Sequence, residues 1–265
     1  MDNKTLNESI ARAMDCDNLE LVYYLPYILQ DFVEMGSSAE DILKIVVENI
    51  KCHDELKILD LGCGKGSVLC KLSEELRCEC VGIDGVPEFI QYARNLATEK
   101  NLSKCVFVVG DIREEVACLS EYDVIILGSI GSVFGNHVET MEKLKPVLAT
   151  EGIIVLDDGY IKDNCECDNG FMKRRSDIMG DIDDSGMEIK REYIWNQKDY
   201  SLKHEKEYQF IEKRCNELIE LHPEKRNMFE NYIKKQKEEY NVIENDMICS
   251  AMIVSRKATD RNSKA

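Results

Sequence analysis

Asp60 stands two positions before the first of three alternating glycines, Gly62, Gly64 and Gly66, in the run Ile58-Leu-Asp-Leu-Gly-Cys-Gly-Lys-Gly-Ser67. Glycines at this spacing let the backbone turn sharply and approach a ligand closely, and the helix that follows presents its N-terminal amides to it. Many nucleotide sites share that arrangement, so the carboxylate carries the discrimination. A fixed negative charge beside the turn repels the pyrophosphate of a dinucleotide and attracts a cation. S-adenosylmethionine brings an ammonium and a sulfonium, and Asp60 therefore favours that cofactor. Asp84 and Asp111 follow at the ends of two further apolar runs. By itself Asp84 suits the ribose of a nicotinamide cofactor equally well, and Asp111 also reads as the N-cap of a short helix over 112 to 118.

These residues need a scaffold, and the chain supplies a regular one. Short apolar runs at 57 to 61, 80 to 84, 105 to 109, 122 to 127 and 152 to 157 read as strands buried on both faces. Amphipathic segments at 66 to 77, 87 to 100 and 137 to 149 lie between them, the second opened by Pro87. This βαβα order predicts a parallel sheet whose right-handed crossovers bring the strand carboxyl ends, and any ligand, to one edge. Before it, Leu21, Leu25, Ile28 and Phe32 fall at helical spacing around Pro26, and Ser38 with Asp41 opens another helix. After it come a polar loop from Asp157 to Gly170, a helix near 172 to 184 and a strand near 187 to 195. Residues 199 to 241 carry two apolar stripes separated by Pro223, a helical hairpin, and Met247 to Ser255 suits a final strand.

Composition narrows the function classes. The chain has 265 residues, 44% of them hydrophobic, which is enough for a full core. Fifty-one acidic against 34 basic residues give a net charge of −17, which repels phosphate backbones and anionic membranes, so no nucleic-acid partner is expected. No stretch is apolar enough to span a bilayer, no signal peptide opens the sequence, and a cytoplasmic location is expected. Twelve cysteines without paired spacing read as reduced thiols. Cys78 and Cys80, like Cys165 and Cys167, lack the spacing of a zinc knuckle, and no metal is expected there.

With the strands placed, the motifs resemble those of the class I S-adenosylmethionine-dependent methyltransferases, from about residue 55 to 160 and again at the last strand. Asp60, Gly62, Gly64 and Gly66 match that family's first motif, with Cys63 inside it. In Val81-Gly-Ile-Asp-Gly-Val-Pro87, Asp84, followed by Gly85, stands where the family places the acid that accepts the ribose hydroxyls. Asp111 and Ile112 match the adenine position, and Gly128 and Ser129 the place where the backbone lies against the methionine moiety. The resemblance implies an α/β, doubly wound, mostly parallel seven-stranded sheet of the Rossmann-like methyltransferase type, with an N-terminal helical cap and a helical hairpin inserted before the last strand. It divides the chain into a cap at 1–50, a cofactor-binding core at 51–196, the hairpin at 197–243, the last strand at 244–257 and a tail at 258–265.

The implied reaction is in-line transfer of a methyl group to a small-molecule acceptor, leaving S-adenosylhomocysteine. A protein or RNA methyltransferase and a non-catalytic S-adenosylmethionine-binding regulator are the alternatives. Candidate catalytic groups are Asp158 and Tyr160 after the fifth strand and His137 at the start of the helix after the fourth. Metal-dependent relatives use an acid just after strand four, where this chain has Gly128-Ser129-Ile130, so magnesium is not expected. Tyr23, Tyr27 and Trp195 are candidates for the acceptor pocket. The protein is expected to act as a monomer or homodimer, with the hairpin as lid or dimer contact.

Overall fold

The computed structural model describes residues 5–51, 55–163 and 173–258. Cys165, Cys167 and the tail beyond 258 lie outside the described residues. By their contacts the residues form two compact units. One is helical and comprises Met1–Val33, Gly159–Arg174 and Ile194–Cys249, and the other comprises Glu34–Asp158, Arg175–Tyr193 and Ser250–Ala265.

In the helical unit, α1 (Leu6–Ala13) starts from a capping box in which Thr5 accepts from the Glu8 amide while Glu8 accepts from the Thr5 amide. A 3-10 turn over Leu19–Tyr24 leads into α2 (Leu25–Ile28), with Pro26 in its first turn, where its missing N–H costs nothing.

The second unit opens with α3 (Ala39–Asn49), capped by Ser38, whose hydroxyl accepts from the Asp41 amide. Then alternate β1 (Lys57–Leu61), α4 (Ser67–Leu76), β2 (Glu79–Asp84), α5 (Pro87–Glu99), β3 (Cys105–Val109), α6 (Ile112–Glu115), β4 (Tyr122–Gly128), α7 (His137–Leu144) and β5 (Leu148–Ile161). They are followed by α8 (Arg175–Asp184) and β6 (Met187–Ile194). The paired helices α9 (Gln197–Leu221) and α10 (Arg226–Asn245) of the helical unit come next, with a 3-10 turn at Pro223–Lys225 between them, and β7 (Met247–Arg256) closes the chain.

The seven strands form one sheet in the order β3-β2-β1-β4-β5-β7-β6. The pairs β1–β2, β1–β4, β2–β3 and β4–β5 are parallel, and the sheet is mixed, with one antiparallel hairpin near its end. The order reverses beside β1, so the carboxyl ends of β1 and β4 diverge at the switch point where open α/β sheets bind ligands. The strand cores, including Ile58, Leu59, Leu61, Val124, Ile125, Ile154 and Val155, are fully buried, as expected for strands covered on both faces.

Several boundaries differ from the expected ones. The helix expected over 137 to 149 stops at Leu144, because Pro146 cannot continue it. The fifth strand begins at Leu148 rather than 152: Leu148 pairs with Tyr122 and the next pair is Val124 with Ile153, so residues 149 to 152 form a bulge that obscures the strand's start. The same strand runs on through Asp157, Asp158 and Tyr160, positions expected to be loop.

Candidate functional site

The glycine turn is built by the end of β1 against the ends of its neighbours. The amides of Gly62 and Cys63 both donate to the Ile83 carbonyl, so the chain leaves β1 already folded toward β2. Gly62 has φ +82°, and a Cβ there would stand 2.5 Å from the Ile130 methyl. Gly66 has φ +74° and would meet the Phe107 ring at 2.6 Å and Ala93 at 2.8 Å. No other residue type fits either position without moving its neighbours.

Asp84 holds the turn from the next strand. Its Oδ2 accepts from the Gly64 amide at 2.9 Å and its Oδ1 from the Val86 amide at 2.8 Å, which ties the glycine turn to the start of α5. Burial raises its pKa, and these two donated hydrogen bonds oppose the rise.

Asp60 is the unusual group. It is 4% exposed, and its carboxylate has no hydrogen-bond or ion-pair partner among the described residues. Burial first, and then the charge of Asp84, push its pKa up to about 7. A buried carboxylate left this way is costly unless a cation answers it. Asp60 lines a cavity of about 10 Å³ with Met35, Ser37, Gly62, Cys63 and Gly128, among others. Ser37, also 4% exposed, has a hydroxyl with no hydrogen-bond partner, lying where a Cβ on Gly128 would reach it. The Cys63 thiol is pushed well above its usual range by burial and by Asp60 and Asp84, so it stays protonated.

The remaining expected residues are placed as follows. Asp111 caps α6 by accepting from the Arg113 amide at 3.0 Å and pairs with the Arg113 guanidinium at 2.6 Å, which holds its pKa below the usual range. Its second reading, as an N-cap, is therefore realised, and Ile112 beside it is buried. Gly85 lies in the bend between Asp84 and α5. Ser129 adopts a left-handed φ of +53° and donates its amide to the Asp157 carbonyl at 2.8 Å, strain of a kind that clusters at functional sites.

His137 and Asp158 do not line the cavity at the turn. His137 Nδ1 lies 3.7 Å from Asp181, and Asp158 is exposed. Tyr160 is buried. In the helical unit Tyr23 is 74% exposed, Tyr27 donates its hydroxyl to Glu217 at 2.8 Å, and Trp195 stacks parallel to Tyr200 with centroids 6.4 Å apart. Sequence reasoning missed Ser37 and Met35, because their role depends on a loop crossing β1 and β4 rather than on any local pattern.

Cys78 and Cys80 place their sulfurs 3.4 Å apart as buried free thiols. Among the described residues no group of three or more His, Cys, Asp or Glu side chains could hold a metal ion.

A family model described as "Methyltransferase domain" matches residues 52–246, a span that includes every strand from β1 to β6. The chain belongs to this methyltransferase domain family. The resemblance to class I S-adenosylmethionine-dependent enzymes, and S-adenosylmethionine as the cofactor, are borne out at the level of the family.

Among its relatives is an uncharacterized RNA methyltransferase of Clostridium tetani, 28% identical over 137 residues that make up 46% of this chain and 30% of that protein. Another is the 23S rRNA (uracil(1939)-C(5))-methyltransferase RlmD of Shewanella sp. strain ANA-3, 29% identical over 39% of this chain and 26% of the relative. The chain thus spans less than a third of the length of either. A methyltransferase from Geobacter sulfurreducens, solved in complex with S-adenosylhomocysteine, shares the fold with a TM-score of 0.72 at 15% identity, covering 89% of this chain and 98% of the other. No helix of the described residues is long and apolar enough to cross a membrane.

The residues at the turn fit S-adenosylmethionine by their own chemistry. They offer an unanswered buried carboxylate for a cation, a glycine wall that a Cβ would fill, and an orphaned hydroxyl. The enclosed space of about 10 Å³ at the turn accommodates at most one end of such a ligand.

Proposed function

We propose that this chain transfers a methyl group from S-adenosylmethionine to a small-molecule acceptor in the cytoplasm. The observation that carries the cofactor half is the partnerless, buried Asp60 carboxylate beside the glycine turn. In this reading Asp60 holds the cationic amino-acid end, with Ser37 donating a hydrogen bond beside it. Asp84 receives the ribose hydroxyls on the lone pairs that its two amide bonds leave open. Ile112 and Asp111 flank the adenine, and Gly128 and Ser129 lie along the methionine chain.

Bound there, S-adenosylmethionine supplies a sulfonium-activated methyl group. The chain's own work is then to orient the donor, exclude water and present the acceptor in line, for which a dedicated base is not required. His137, Asp158 and Tyr160 remain proposed proton acceptors, and Tyr23, Tyr27 and Trp195 proposed acceptor contacts.

The small-molecule half is supported by the net charge of −17, which opposes a polyanionic acceptor. A second reading, an RNA acceptor, is favoured by the names of the two curated relatives. One experiment separates them. The protein is incubated with donor labelled in its methyl group and a cell extract split into metabolite and RNA fractions. Label in the metabolite fraction supports the proposal, label in RNA replaces it with the second reading, and label in neither refutes both.

A further inference from the structure

The free thiols of Cys70, Cys78, Cys80 and Cys105 gather where α4 covers the amino ends of β2 and β3, and the proposed methyl transfer uses none of them. The Cys78 and Cys80 sulfurs are 3.4 Å apart. The Cys80 and Cys105 thiols point at one acceptor, the Leu69 carbonyl of α4, at 3.8 and 3.6 Å. Cys105 also hydrogen-bonds through its sulfur with Cys70 and Cys80. A buried cysteine packs as a small apolar side chain, and packing alone does not call for a connected network of sulfurs.

Backbone geometry selects one pair from this network. Cys80 and Cys105 are register partners on the adjacent parallel strands β2 and β3. Neighbouring strands lie about 4.8 Å apart, inside the Cα separation of about 4.4–6.8 Å that a disulfide spans. Access selects the order of events. Cys70, Cys78 and Cys80 are buried, whereas Cys105 is half-buried at the start of β3, the strand at the edge of the sheet. Hydrogen bonds from Cys70 and then Cys80 hold the Cys105 thiol below its usual pKa, and the same bonds push the Cys80 thiol up. The thiolate is the reactive form, so Cys105 is the nucleophile and Cys80 waits as the protonated partner.

We propose that Cys105 and Cys80 are a peroxide-reactive thiol pair that closes reversibly into a disulfide. The Cys105 sulfur attacks hydrogen peroxide, the O–O bond breaks, and a sulfenic acid and one water result. The Cys80 sulfur, giving up its proton, then attacks the Cys105 sulfur; the S–S bond forms, the S–O bond breaks, and a second water leaves. Two thiols are oxidised and one peroxide is reduced. The pair lies at the opposite end of its strands from Asp84, so the site is independent of the cofactor reading.

The full chain is treated with a slight molar excess of hydrogen peroxide, alkylated and mapped as peptides without reduction. A disulfide joining Cys80 to Cys105 is expected in most chains and is removed by dithiothreitol. Cys80→Ser is expected to leave Cys105 as a sulfenic acid that dimedone labels, and Cys118→Ser, at an exposed thiol, is expected to leave the linkage unchanged. Mapping the unmodified chain does not depend on whether a variant folds. No disulfide there, or one confined to any other pair such as Cys78 with Cys80, overturns the proposal, as does a folded Cys80→Ser chain whose Cys105 takes no label.

Discussion

At the scale of single residues, the proton on Asp60 is the most informative quantity. Its pKa is raised to about 7 in the folded chain, above the ordinary carboxylate value near 4, so its contribution to stability is complete below that lower value and lost as pH rises through about 7. A cation needs the ionised form, so cofactor affinity has the opposite slope. It is expected to fall as pH drops from 8 to 6, approaching about tenfold per unit well below 7, and Asp60→Asn should flatten this profile as well as weaken binding. Binding titrations at three pH values check both outcomes. Ser37→Ala removes one hydrogen bond and no buried volume of consequence, so an affinity loss of about two- to tenfold with an unchanged melting temperature is expected. An unaltered dissociation constant would remove Ser37 from the site. Asp84→Ala should weaken binding more, since it frees the Gly64 and Val86 amides along with the ribose contact.

At the scale of elements, much of this geometry was legible in the sequence because each piece has a local cause. The glycine spacing, the apolar runs and the acids at their ends locate β1, β2 and β3 and place Asp60 and Asp84 at their carboxyl ends. What stayed hidden depends on contacts between distant segments. The bulge in β5 arises from its pairing with β4, and the seat of Ser37 arises from a loop lying over Gly128. Tyr23, Tyr27 and Trp195 show the same limit, since spacing puts rings on a helix or strand but does not say what they face. Gly66 tests the turn as an element. Alanine there combines a positive φ with contacts under 3 Å to Phe107 and Ala93, so a loss of about 2 kcal/mol or more is expected in denaturant unfolding. A Gly66→Ala chain as stable as the original would show that the turn is not held as described.

At the scale of the whole molecule, charge and cofactor chemistry give opposite demands on different ligands. A net charge of −17 disfavours RNA at any distance beyond direct contact, so gel-shift binding of unstructured RNA at physiological salt is expected to be undetectable at micromolar protein. The same sign of charge, concentrated at Asp60 and Asp84, should select a cationic adenosyl compound over a pyrophosphate-bearing one. Calorimetric titration of the intact chain with S-adenosylmethionine and, separately, with NAD tests this most directly, repeated near pH 6.5 in two buffers of different ionisation enthalpy. Saturable binding of S-adenosylmethionine with release of a fraction of a proton, and no binding of NAD, is the predicted result. Tight NAD binding, or S-adenosylmethionine binding that releases no proton and is untouched by Asp60→Asn, would contradict it.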